Sequence, residues 1–329
     1  MNFDESMARY GNDKPDLRFG LPHVVLNEVI RAHGADGGVG PMWETLSQPS
    51  GLIKAMVIPA QYALSRKDTD DLETYVQGMG AKGLARAKIA ENGDWTQAPL
   101  FKAAKPELKA AIIAATGAKA GDLIVFQFGG AAKVHTVMAN LRGHVAKKLG
   151  MIPEYGSGGK WNFLWVVNPP LFEYDEETKT WAAAHHAFTR PMDECLKYLD
   201  ASSFDPAKVY CYRYDVVLNG FEIGGGSIRL HDPEVQARVF QALGISDEDA
   251  RSKFGFLLDA LKFGAPPHGG IALGMDRLAF LITETESLRD VIAWPKTQKG
   301  TDLMTGAPGD VDDKQLKELY VKSVPPTKA

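Results

Sequence analysis

The sequence predicts an α+β fold, with an antiparallel sheet and flanking helices in its C-terminal half and a separate α/β region near its N-terminus. Three observations predict it. Residues 161–232 hold strand-like runs joined by short polar turns, among them an Asn-Gly centre at 219–220. Two helical patterns follow, roughly 233–243 and 247–263. Consecutive antiparallel strands followed by helices argue against a doubly wound parallel sheet. Residues 21–150, by contrast, alternate strand-length apolar runs with amphipathic helical patterns.

Each element has a local reason. FDESMARY reads as a short helix with Asp4 as N-cap and Gly11 as its stop, followed by the turn-rich GNDKPDLRFG. GLIKAMVIPA (51–60) and DLIVFQFG (122–129) are apolar runs of strand length. Helical patterns lie around 68–83 and 105–118; in the second, Leu108, Ile112 and Ile113 recur at helical spacing. A further helix spans 132–150, with basic residues in its last turn and Gly150 as C-cap. Nothing in 21–150 points to catalysis, and a packing or accessory domain explains it. EYGSGGKW (154–161) reads as a linker and domain boundary.

Beyond it, WNFLWVVNPPLFEYDEETKTWAAAHHAF suggests a hairpin of two strand-like runs. VYCYRYDVVLNGFEI is a second hairpin, because a type I′ turn needs positive φ at both central positions and Asn-Gly supplies it. PPHGGIALGMDRLAFLI reads as a Gly-rich loop, a short strand and a helix.

Composition excludes several classes. The chain has 329 residues, enough for two domains of ordinary size, with a formal net charge of −4. Nucleic-acid contact would therefore need a local basic patch rather than a global field. Two cysteines, Cys195 and Cys211, suit a reducing compartment and match no zinc spacing. No apolar run reaches the roughly 18 residues of a membrane span. The polar N-terminal stretch lacks the apolar centre of a signal peptide, so the expected location is cytoplasmic.

Chemistry concentrates in YDVVLNGFEIGGGSIRLHD (214–232). A two-residue turn at 219–220 pairs Leu218 with Phe221 and Val217 with Glu222. Alternation puts Asp215 on the face of Val217, so Asp215 and Glu222 become diagonal neighbours. Two carboxylates converging on a half-buried face invite a hard cation such as Mg²⁺. Simple alternation leaves Arg229 on the opposite face; one bulge within Gly224–Gly226 would bring it round. Its planar fork could then grip a carboxylate. A solvated strand face with surface charges fits the same residues.

Two weaker constellations accompany it. HGGIALGMDRL (268–278) leads a Gly-rich loop into a helix whose first turn holds Asp276 and Arg277, a place where phosphate fits. It is neither a Walker A loop nor a dinucleotide fingerprint, and a tight helix–sheet junction explains it equally. His185 and His186 are adjacent, which on a strand would point them to opposite faces. They read as a surface or loop pair, or as hydrogen-bonding partners of a small polar substrate.

Taken in order, RYGNDKPDLRFG, AAHHAFTRP, YDVVLNGFEIGGGSIRLHD, KFGFLLDALKFGAPPHGGIALGMDRL, RDVIAWPKT and LMTGAP resemble the bacterial-type aspartyl-tRNA synthetases from about residue 3 to 322. The resemblance implies a class II antiparallel sheet and three segments: 1–20 as a remnant of the catalytic domain, 21–153 as an insertion (GAD-like) domain, and 154–329 as the C-terminal part of the catalytic domain. It implies that Glu222 contacts ATP and, with Asp215, holds Mg²⁺. Arg229 would bind the aspartate side chain, with His185 and His186 helping to seat the amino acid. Gly274, Met275, Asp276 and Arg277 would form the third class II motif, its arginine clamping the ATP phosphates. The implied reaction makes aspartyl-adenylate and passes the aspartyl group to tRNA, in a homodimer when complete.

The family's anticodon-binding barrel and first two class II motifs find no counterpart in this sequence. The chain is therefore expected to act as part of a ligase, inactive alone in pyrophosphate exchange. The alternative is a synthetase remnant that binds ATP, RNA or protein without chemistry. An asparagine-forming paralogue is disfavoured by the retained insertion domain.

Overall fold

The structure, a computed structural model, describes residues 1–324 apart from 63, 154–160, 176 and 286. The chain forms two compact units, 1–273 and 274–329. The linker expected at 154–161 lies, Trp161 apart, outside the described residues.

The first unit opens with α1 (Phe3–Tyr10). Its N-cap is Asn2 rather than Asp4; Asp4 and Glu5 occupy the first turn, where the positive end of the helix dipole favours them. Gly11 ends the helix as expected, at φ 75°. There follow β1 (His23–Val25), α2 (Asn27–His33), α3 (Gly40–Thr45), β2 (Gly51–Ile58), α4 (Arg66–Gly78), β3 (Ala85–Ile89), β4 (Trp95–Thr96), α5 (Pro106–Thr116), β5 (Leu123–Gly130) and α6 (Ala131–Lys148). Ser65 caps α4 by accepting from the Asp68 amide at 3.1 Å, in a full capping box. Leu149 caps α6 one residue before Gly150, which takes the left-handed turn at φ 62°.

These strands form one sheet in the order β1-β2-β5-β3-β4, and every pairing is antiparallel. Because β2 and β3 both run against β5, they are parallel to each other with one strand between them. That split arrangement reconciles the alternating helices and strands in the sequence with an antiparallel sheet. Both faces are covered. Leu52, Met56, Val125 and Leu141 pack with α4 and α6 on one side. Ile53, Ala55, Phe101, Leu108 and Phe126 form a second core on the other. Double burial is why β2 and β5 read as continuous apolar runs.

Next come β6 (Phe163–Val167), β7 (Phe172–Asp175), β8 (Thr180–Ala183), β9 (Arg213–Leu218), β10 (Phe221–Ile228), α7 (Pro233–Ala242), α8 (Asp247–Leu261) and β11 (Gly269–Leu273). The single hairpin expected over the first of these runs is instead three strands. β7 and β8 pair with each other, whereas β6 joins β9 in a sheet of order β11-β10-β9-β6. Asn168 turns the chain at φ 58°, and Pro169 and Pro170 cannot donate to a ladder, so the first run cannot pair with the next.

Residues 1–20 join these two parts of the first unit. Met1 donates its terminal amine to the Trp165 carbonyl at 2.9 Å, and the Tyr210 hydroxyl donates to Asp4 at 2.8 Å. On the other side the fully buried Lys54 donates to the Met7 carbonyl at the end of α1. Arg142 donates to the carbonyls of Asp16, Phe19 and Gly20 and lies over the Phe19 ring at 4.1 Å.

The second unit contains α9 (Met275–Ile282) and α10 (Asp313–Glu318). Among the described residues no helix is long and apolar enough to cross a membrane.

Candidate functional site

The site begins at the hairpin of β9 and β10. Asn219 and Gly220 take φ 52° and 87°, the left-handed pair a two-residue turn requires. Phe221 pairs with Leu218 and Glu222 with Val217, as the sequence predicts. The register then slips between Glu222 and Gly224, so that Gly225 faces Asp215 and Ser227 faces Arg213. The bulge therefore sits at Ile223, just ahead of the glycine run in which it was expected. Its consequence is the expected one. Paired residues share a face, so Arg213, Asp215, Glu222, Gly225, Ser227 and Arg229 all project from the same side.

The glycines act through close approach rather than through positive φ. A Cβ on Gly225 would lie 2.2 Å from Asp215 Oδ1 and 3.4 Å from Glu222 Oε1. The two carboxylates thus converge over a position that carries no side chain. A Cβ on Gly226 would meet the Gly270 carbonyl at 1.8 Å, so this glycine lets β11 pair closely.

Electrostatics follow from that crowding. Burial raises Asp215 to about 6, opposed by Arg213 and reinforced by Glu222 and by Asp13 from the segment after α1. Arg213 Nη2 donates to Asp215 Oδ1 at 3.1 Å. Two hard oxygen donors over an open cradle fit a small hard cation that keeps several of its waters. Among the described residues no three His, Cys, Asp or Glu side chains are grouped to hold a metal, so such a cation would rely on solvent or a bound phosphate for its remaining ligands.

Both histidines lie in the loop after β8, not on a strand, which frees them from pointing apart. His186 Nε2 is 2.7 Å from Arg229 Nη1. Desolvation, then Arg229 and Arg213, lowers His186 below its ordinary range and keeps it neutral as an acceptor for the guanidinium. His185 is lowered by partial desolvation and then by Arg213, although its ring keeps an open side. One face of the first unit therefore holds an acidic pair and an arginine–histidine pair.

Sequence reasoning missed Arg213 and Asp13. Arg213 was legible, since a residue two before Asp215 must share its face. Asp13 was not, because only the tertiary fold brings its charge within reach of Asp215. Ser227 was also passed over; it is buried, and its hydroxyl has no hydrogen-bond partner among the described residues.

The profile of the class II tRNA synthetases (D, K and N) matches residues 1–298. The chain belongs to this family. Curated relatives include an aspartate–tRNA(Asp/Asn) ligase from Anaeromyxobacter dehalogenans (strain 2CP-C), 71% identical over 98% of this chain and 53% of that protein. An aspartate–tRNA ligase from Macrococcus caseolyticus is 47% identical over 98% of this chain and 52% of its own length. The chain spans about half the length of the curated relatives it matches. Among solved structures, the aspartyl-tRNA synthetase from Entamoeba histolytica is 17% identical, with a TM-score of 0.33 over 76% of this chain and 43% of that one.

In this synthetase chain, Gly274, Met275, Asp276 and Arg277 belong to the second unit. Gly274 is the N-cap of α9 and has extended backbone; Met275, Asp276 and Arg277 form the first turn. No side chain caps that end. Met275 is exposed, and the Gly274 carbonyl accepts from the Leu278 amide at 3.0 Å.

Proposed function

We propose that the chain contributes the amino-acid and ATP-binding face of an aspartate–tRNA ligase, which forms aspartyl-adenylate from aspartate and ATP and transfers the aspartyl group to tRNA. The convergence of Asp215 and Glu222 over Gly225, on the face that also carries Arg229 and His186, supports this reading most directly. Arg229 offers a two-pronged grip for the aspartate side-chain carboxylate. His186, held neutral, fixes the orientation of that guanidinium without competing for the anion. His185 borders the same site and helps seat the amino acid.

Glu222 contacts ATP and, with Asp215, would hold Mg²⁺, whose chemistry here is to neutralise phosphate charge. In the second unit, the α9 N-terminus at Gly274–Arg277 would offer backbone amides and the Arg277 guanidinium to phosphate oxygens. The chain's own contribution to catalysis is then positioning and charge stabilisation: attack by the α-carboxylate of aspartate on the α-phosphate is favoured by holding both in place. The complete enzyme is read as a homodimer, and residues 21–153 as its inserted accessory domain.

Isothermal titration of aspartate into this chain with Mg²⁺–ATP present tests the reading. Aspartate should bind in preference to glutamate and asparagine, and Glu222→Gln should weaken ATP. Equal binding of all three amino acids would overturn it.

A further inference from the structure

Arg213 has a place in this site that the binding roles above leave unexplained. It lies two residues before Asp215 on β9, opposite Ser227, on the face that carries both acids. Its guanidinium and the Asp215 carboxylate are shielded, with 15% and 11% of their side chains exposed. Screening by salt is weak for such a pair. The oxygen it takes is Oδ1, the same Asp215 atom that overhangs Gly225. A cation cradled above Gly225 and the Arg213 guanidinium therefore seek the same oxygen, and two positive charges on one carboxylate repel. Its positive charge also helps lower His185 and His186 below their ordinary range. Among the described residues its Nε donates to nothing. The guanidinium is thus committed to Asp215 through one donor and leaves its buried Nε uncommitted among the described residues.

We propose that Arg213 is a positioning residue that acts as the resident counter-charge of the acidic pair, holding Asp215 in place and competing with a divalent cation for it. This rests on the reading of Asp215 and Glu222 as cation ligands. The arrangement keeps two converging carboxylates apart and ordered before any ligand arrives. It also weakens cation binding to the empty site, so that a cation arriving with a bound phosphate is favoured over a free one.

Mn²⁺ alone is the probe, titrated into the chain and followed by the electron paramagnetic resonance signal of the free ion. Arg213→Ala and Arg213→Gln should each tighten Mn²⁺ by about fivefold to tenfold, the scale of one partly buried ion pair. Arg213→Lys, which keeps the charge, should fall between them and the natural chain. Far-ultraviolet circular dichroism checks folding, and the Gln variant carries the test if the Ala variant unfolds. Unchanged or weaker Mn²⁺ binding in the neutral variants overturns the proposal. Glu222→Gln separates the two ways it can fail. If that variant loses Mn²⁺ while the Arg213 variants bind as the natural chain does, the acidic site stands and the competition is wrong. If Mn²⁺ binds neither the natural chain nor the neutral Arg213 variants, or ignores Glu222→Gln, the cation site itself is refuted and the competition with it.

Discussion

The two sheets of the first unit use the same antiparallel geometry for opposite ends. In the sheet of β1 to β5, both faces are buried under helices, and its few buried polar side chains are tied to backbone carbonyls or, like Lys54 and His23, to each other. In the sheet of β6 and β9 to β11, one face gathers Arg213, Asp215, Glu222 and Arg229, while Phe163, Trp165 and Ile271 on the other are exposed. The first spends its sequence on packing. The second gives up packing to hold unlike charges close together. Strand pairing alone supports either; what differs is whether a side chain at a given register position fills space or meets another charge.

That contrast can be broken by substitution. Phe126 is fully buried, with its ring 4.7 Å from Phe101. Phe126→Ala should cost about 3–5 kcal/mol in urea unfolding. A smaller loss would show that the first sheet collapses around the cavity. Arg229→Ala should move stability little yet weaken aspartate about 30-fold or more by calorimetry, because a desolvated carboxylate would lose its partner. A large stability loss with intact binding would reverse the assignment of roles.

Acid sharpens the comparison, because the two sheets respond with opposite sign. Burial, then Lys54 and Arg142, lowers His23 to about 2. The unfolded chain takes up that proton below its ordinary 6.5 and the folded chain resists, so stability falls as pH drops through 6.5. Asp215 is raised from 3.8 to about 6, so its folded form binds a proton first. Its stabilising contribution is complete below pH 3.8 and gone above about 6. Urea midpoints between pH 4 and pH 7 should therefore show a steeper acid loss in Asp215→Asn and a shallower one in His23→Gln. Identical slopes would remove the distinction. The smallest effect is expected at the surface. Arg9→Ala breaks an exposed pair with Glu5 at 2.9 Å and should change stability by about 0.5 kcal/mol or less.

Much of the site could be read along the chain. Asn219-Gly220 fixed the turn, alternation put Asp215 and Glu222 on one side, and the need to bring Arg229 round demanded a bulge. The bulge was misplaced because a register slip depends on the third strand: β11 must lie against Gly224 and Gly226, and no local pattern shows where it will dock. The expected hairpin is the β7–β8 pair, but the β6 run was not separated from β7, for the same reason. Proline stops pairing with the next run, but the choice of β9 is a long-range decision. His185 and His186 looked poorly placed as strand neighbours, yet a loop backbone frees them from that alternation and brings His186 onto Arg229.

By itself, the sequence determined which residues can turn, alternate, cap and carry charge, because those properties belong to neighbours a few bonds apart. It therefore specified the hairpin, the helices and the acid and guanidinium groups that share a strand face. The tertiary structure alone decided what those groups meet: His186 against Arg229, and α1 anchored on Lys54 and, through the Tyr10 ring, on Arg142. Each of these contacts joins residues far apart in sequence, and their positions follow from the packing of whole elements rather than from any local preference.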